Sequence, residues 1–133
     1  MFYGPQNFYD DKISYKLERQ GLIDRKPEGP PQVSDIIQVV SEVSKVQVRD
    51  IIGPYRWQGY MIPRFSVYWI ARNFTLQSYP QIARAVGRRD HTTIMSGVRA
   101  VERHTRTYRP IIEPALEILE NRGFYMMAEV KFE

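Results

Sequence analysis

The sequence contains no cysteine. Disulfides, thiolate zinc sites and cysteine nucleophiles are therefore excluded. No apolar run approaches the about 20 residues of a membrane span, and the N-terminus lacks the apolar segment of a signal peptide. A cytoplasmic protein with no membrane partner is expected. No lysine follows a glycine, so the G-x-x-x-x-G-K-[ST] loop that cradles nucleotide phosphates is absent. Histidine is scarce. His91 and His104 stand thirteen residues apart with no acids clustered about them, which is not metal-ligand spacing. Asp90 and His91 are adjacent, and adjacent helix residues point in different directions, so they make a poor acid–base pair. Neither a cofactor nor an enzymatic activity is expected.

Acidic residues are scarce in one region only. Between Lys45 and Arg109 stand twelve cations, eleven of them arginine, against Asp50, Asp90 and Glu102. The net charge of the whole chain is only +4, so the positive charge is concentrated in the middle. Such a block suits a polyanionic partner. The arginine fork matches phosphate oxygens. The other reading of the block is a solvated basic face with no partner.

The 133 residues fit one small domain with tails. Residues 1–32 read as an extension, partly disordered. They contain Gly4-Pro5 and end in Lys26-Pro27-Glu28-Gly29-Pro30-Pro31, a linker composition. A short helix is expected within them over Lys12–Gln20. The domain proper is expected over 33–122, with Ser34 as the first N-cap. Ile36, Val39, Val40 and Val43 follow at helical spacing. A short helix is expected over Val48–Ile52, closed by Gly53-Pro54, then an aromatic loop over Tyr55–Ile62. Pro63 pre-sets a helix start, with Val67, Ile70, Ala71 and Phe74 turned inward. Ser78 and Gln81 have capping-box spacing ahead of a short helix burying Ile82, Ala85 and Val86. Gly87 ends that helix, and Asp90 caps the next, whose buried stripe is Ile94, Val98 and Val101. A last helix is expected over Pro110–Asn121, stopped by Gly123. The tail, 123–133, is apolar at Phe124–Met127, fit to pack on the domain or on a partner. The fold class is all-α, a bundle of about five to six helices.

Helix, tight turn, helix between Ser78 and Arg103 is a helix-turn-helix layout. The second helix opens with His91, Thr92 and Thr93, at the end of a recognition helix that enters the major groove. Threonine offers a hydroxyl to base edges and a methyl to thymine. Read from the residues alone, Thr92 and Thr93 serve either as base-reading groups or as helix caps.

Arg89-Asp90-His91-Thr92-Thr93-Ile94 resembles the signature of the C-terminal DNA-binding domain of the bacterial replication initiator DnaA. The similarity runs from about Ser34 to Glu102, more weakly to Glu120. Ile37, Val48–Ile52, Pro63-Arg64, Pro80-Gln81-Ile82 and Gly87 fall where the family has similar residues. The resemblance implies a Trp-repressor-like helix-turn-helix fold and the duplex repeats called DnaA boxes as ligand. It implies base contacts from Asp90, His91, Thr92 and Thr93 in the major groove, and from Arg56 in the minor groove. Pro80, Arg64 and Arg72 are then expected at bases or backbone. Arg88, Arg89 and Arg99 are expected at the backbone from their place around the turn and the exposed side of the helix.

Departures from the family pattern are specific. The loop Gly53–Ile62 carries Arg56 as its only cation, where the family crowds Lys and Arg, and Trp57 and Tyr60 are expected to pack it down. Arg88 stands in place of the signature's second glycine. Phe65 replaces a polar residue. The function implied is sequence-specific duplex binding by a stand-alone small protein, linked to replication initiation or its regulation. Its partners would be box-bearing DNA and a full-length initiator or other replication proteins. The alternatives are a phage- or prophage-type transcription regulator, or an adaptor using the aromatic loop and the tail.

Overall fold

The structure, a computed structural model, describes residues 29–88 and 90–126. Among them are six α-helices and no strand: α1 Val33–Ser44, α2 Val48–Ile52, α3 Gln58–Phe74, α4 Tyr79–Ala85, α5 His91–Arg103 and α6 Thr105–Asn121. The helix expected over Lys12–Gln20 lies outside the described residues.

α1 starts two residues ahead of the sequence expectation. Its N-cap is Gln32, and Ser34 lies inside the first turn. Asp35 Oδ2 accepts the Gln32 N–H at 2.9 Å, so the third helical residue closes the end reciprocally. The earlier start also brings Val33 into the core with Ile36, Ile37, Val39 and Val40. Lys45, with φ 65°, closes the helix by giving its N–H to Ser41.

α3 is the central element and packs against all five others. The aromatic loop is shorter than expected because this helix begins at Gln58, with Pro63 inside it. The Trp57 carbonyl takes the N–H groups of Tyr60 and Met61 at 2.8 and 3.0 Å, which nucleates the turn ahead of the proline. Pro63 then costs a single intrahelical bond, the one its missing N–H would give to Gly59. Val67, Ile70, Ala71 and Phe74 are buried as expected, and Tyr68 and Trp69 join them.

α6 repeats the pattern. It begins at Thr105, five residues before the expected Pro110, and holds Pro110 and Pro114 within it. Tyr108, on the added turn, is buried, which rewards the extension. In α4 the buried pair is Ile82 and Ala83, with Val86 just beyond, while Ala85 is exposed. This corrects the expected stripe, because α4 is covered by α1, α3 and α5 together.

The ends of the described chain meet. Gly123, at φ 92°, turns the chain out of α6, and Tyr125 N–H reaches the Gly29 carbonyl at 2.8 Å. Phe124 and Met126 pack against the core. That leaves Tyr125 as the exposed aromatic of the described tail.

Candidate nucleic-acid interface

α4, residues 86–90 and α5 form the helix-turn-helix. Ser78 and Gln81 close the α4 start, with Ser78 N–H to Gln81 Oε1 at 2.8 Å and Gln81 N–H to Ser78 Oγ at 3.3 Å. Gly87 takes φ 76°, the left-handed conformation that a side chain disfavours. Its N–H and that of Arg88 return to Arg84 and Ala83, so the turn is bonded to the helix it leaves. Asp90 caps α5, its Oδ1 accepting the Thr92 N–H at 2.9 Å. Bonds from Thr92 hold the Asp90 carboxyl below its usual range, aided by the nearby His91.

On this frame Asp90, His91 and Thr92 are exposed and Thr93 is half-buried. They make one continuous polar edge at the start of α5. Its opposite face, Ile94, Gly97, Val98 and Val101, is buried. Gly97 is a point of close approach to α3. A Cβ there would lie 2.7 Å from Tyr68 Cδ2 and 2.8 Å from Phe65 Cδ1. The recognition-type helix is thus seated flat on the central helix, with its first turn projecting.

The α2–α3 loop lies next to this edge. Tyr55, Arg56 and Trp57 are all exposed, and Trp57 meets Tyr60 edge-on at 5.0 Å. The indole lies over Gly59, where any Cβ would strike the ring at 2.3 Å. The expected packing down is therefore local: Trp57 folds onto the first turn of α3 and stays 66% exposed.

Two arginines expected at phosphates have structural work. Arg64 is only 4% exposed. Its Nε and Nη2 donate to the carbonyls of Ile51 and Asp50 at 2.6 and 2.9 Å. Arg88 Nη1 and Nη2 donate to Ile52 and Gly53, both at 2.9 Å. These carbonyls are the orphan acceptors at the end of α2. Cations also suit the negative end of the helix dipole. Burial lowers the Arg64 pKa, and the charges of Arg88 and Arg56 lower it further, which places three cations in one neighbourhood.

The remaining expected residues separate from that cluster. Arg72 is exposed and stacks over the Tyr79 ring at 4.4 Å, beside the exposed Pro80 at the start of α4. Arg99 is exposed on α5. Arg89 lies outside the described residues. Arg56, Arg64, Arg88 and Thr93 are brought together around a cleft of about 390 Å3. Tyr68 and Ser96 also line it. Sequence reasoning missed both, and it missed the carbonyl-binding role of the two arginines. Tyr68 reads as ordinary core, and only the place of its buried hydroxyl beside Arg88 distinguishes it.

Among the described residues no group of three or more His, Cys, Asp or Glu could hold a metal. No described helix is long and apolar enough to cross a membrane.

Comparison with known proteins gives a consistent result. The sequence profile of the family described as "Bacterial dnaA protein helix-turn-helix" matches residues 33–101. The chromosomal replication initiator protein DnaA of Ruegeria sp. (strain TM1040) is 41% identical over 93 residues, which cover 68% of this chain and 20% of that protein. That of Ruegeria pomeroyi is 37% identical over 93 residues, with the same shares. That of Acinetobacter baylyi is 39% identical over 70 residues, 53% of this chain and 15% of that protein. The chain spans about a fifth or less of the length of these relatives.

Proposed function

This chain belongs to the bacterial DnaA helix-turn-helix family, and from that premise we propose that it binds duplex DNA sequence-specifically at DnaA-box-like sites. One observation carries the reading. His91, Thr92 and Thr93 open a helix that is capped by Asp90 and backed by a buried face, so their side chains project from the end that fits the major groove. Arg56 approaches from the α2–α3 loop, exposed and placed for the adjacent minor groove. Arg72 and Arg99 are exposed and available to phosphates, and Arg89 is a further backbone candidate from its position in the sequence. Pro80 presents an apolar ring beside the Arg72–Tyr79 stack, suited to a thymine methyl or a sugar edge.

Arg64 and Arg88 take a different part in this reading. They hold the end of α2 and so fix where the loop bearing Arg56 leaves it. They act on DNA from that fixed position rather than as mobile surface cations.

The role is in replication initiation or its regulation, in the cytoplasm where such sites are found. A full-length initiator at the same sites is the natural competitor. The adaptor reading is less favoured, because Phe124 and Met126 pack against the domain. Selection of bound sequences from a random duplex pool tests the proposal. A recurrent asymmetric motif resembling a DnaA box is expected. A pool that stays random after several rounds, with protein still bound, would leave only charge-driven binding.

A further inference from the structure

Three of the five exposed large apolar side chains among the described residues, Ile52, Tyr55 and Trp57, fall within residues 52–57. Pro54 is exposed between them. Apolar residues scattered singly over a surface are ordinary, but a run of them marks a contact surface. Residues 53–58 hold one cation, Arg56, and no acid, so the run does not repel a polyanion.

Trp57 is exposed and yet held. A Cβ built on Gly59 would lie 2.3, 2.6 and 2.7 Å from the ring carbons Cζ3, Cη2 and Cε3. Nearly equal distances to three neighbouring carbons put that Cβ over the face of the six-membered ring, not at its edge. One face of the indole therefore rests on the first turn of α3, and Tyr60 meets the ring at 86°. The 66% exposure belongs to the other face and the rim. A ring seated in this way loses little freedom when a ligand covers it. It does not slide between two bases, because a side chain that unstacks a base step must present both faces. It fits a surface that covers one face only.

The loop also adjoins the proposed reading edge. Pro54 and Arg56 line the same cleft as Thr93 and Ser96. Arg88 ties the end of α2 to the turn before α5. A duplex with its major groove on the start of α5 therefore turns an adjacent minor groove toward this loop. Minor-groove walls are built of deoxyribose, whose C–H edges are apolar.

We infer that Trp57, with Tyr55 on the other side of Arg56, makes an apolar contact to deoxyribose in that minor groove. The inference rests on the duplex-binding reading and adds a contact of another kind to it. The arginines act through charge, and this pair acts by covering apolar surface.

Trp57 is its own reporter. The other tryptophan, Trp69, is 4% exposed, so the neutral quencher acrylamide acts mainly on Trp57. The duplex recovered from the random pool lowers the quenching of the unmodified chain and leaves the Trp69 signal of Trp57→Phe unchanged. Trp57→Ala binds that duplex about tenfold more weakly, the worth of roughly 55 Å2 of covered apolar surface. Its slope of log K against log salt stays that of the unmodified chain, whereas Arg56→Ala flattens the slope by about 1. A Trp57→Ala slope flattened like that of Arg56→Ala overturns the inference, since the ring then only positions the arginine. Diaminopurine in place of adenine adds an amino group to the minor groove and keeps the major-groove pattern. Walked along the site, it costs the unmodified chain more than Trp57→Ala at the position the ring covers. The absence of any such position overturns the minor-groove placement. Tight duplex binding with Trp57 still open to acrylamide overturns the inference, leaves the duplex reading standing and turns this surface to a protein partner. A chain that binds no duplex overturns both.

Discussion

Arg64 and Arg88 divide four consecutive carbonyls between them, Asp50 and Ile51 to the first, Ile52 and Gly53 to the second. One arginine comes from the central helix and the other from the turn before α5. Together they tie the end of α2 to the helix-turn-helix, so that loop and recognition edge are positioned by one set of bonds. A residue that departs from the family signature at a glycine position thereby becomes a strut.

Arg64→Ala should therefore destabilise the domain rather than simply weaken DNA binding. It leaves one buried and one part-buried carbonyl unpaired, at about 1–3 kcal/mol for a group that water does not reach. Arg64→Lys should not restore the loss, since an ammonium lacks the fork that spans adjacent carbonyls. Urea denaturation reads the result. A midpoint within error of the unmodified chain for Arg64→Ala would remove the structural role.

Gly97→Ala sets two effects against each other. Alanine improves helix propensity by about 0.8–1 kcal/mol. The new Cβ, however, meets ring atoms of Tyr68 and Phe65 at 2.7 and 2.8 Å, and the Tyr68 ring is enclosed. Overpacking of this kind costs about 1–3 kcal/mol, so the clash wins and α5 is pushed off α3. Lower stability with weaker specific binding is expected, because α5 carries the proposed reading edge. A stabilised variant with unchanged affinity would show that the seat is looser than the distances imply.

Much of this was legible in the sequence where the governing interactions are local. The Ser78–Gln81 box, the Gly87 turn, the Asp90 cap and the Ile94–Val98–Val101 stripe all depend on residues within one or two turns, and the structure has each of them. The starts of α3 and α6 are not legible locally for one reason: Pro63 and Pro110 have the look of first-turn residues, whereas tertiary packing of Tyr108, and the Trp57 carbonyl ahead of α3, extend both helices past a proline. Ala83 replaces Ala85 in the core because three helices enclose α4, which one helix's periodicity does not reveal. The carbonyl bonds of Arg64 and Arg88 span 13 to 36 residues, and no local pattern encodes them.

Asp90 gives a pH signature. Hydrogen bonds from Thr92 hold its carboxyl below the usual range in the folded chain. A depressed folded pKa lends stability that is present in full above the ordinary aspartate range and is lost as pH falls through the folded value. The unmodified chain should thus lose stability on acidification more steeply than Asp90→Asn, which keeps a capping oxygen but does not titrate. Thermal melts from neutral pH down to pH 3 compare the slopes. Parallel slopes would mean that the cap contributes equally in both protonation states.

The proposed base-reading edge and the exposed arginines should separate in binding measurements. His91 and Thr92 are exposed on the first turn of α5. His91→Ala or Thr92→Ala should cost about 1–3 kcal/mol on the selected sequence and much less on random duplex. Arg72→Ala and Arg99→Ala should weaken both duplexes alike and flatten the slope of log K against log salt by about 1 per lost phosphate contact. Arg72 has a rival duty, stacking on Tyr79, so its melting temperature must be read alongside. A stable Arg72→Ala with a flattened slope assigns it to phosphate, and a destabilised one with an unchanged slope assigns it to the α3–α4 turn. Fluorescence anisotropy on the two duplexes, each over a salt series, provides all the comparisons. Equal losses on both duplexes for His91→Ala and Thr92→Ala would reduce these residues to cap and surface, and would move sequence reading elsewhere on the domain.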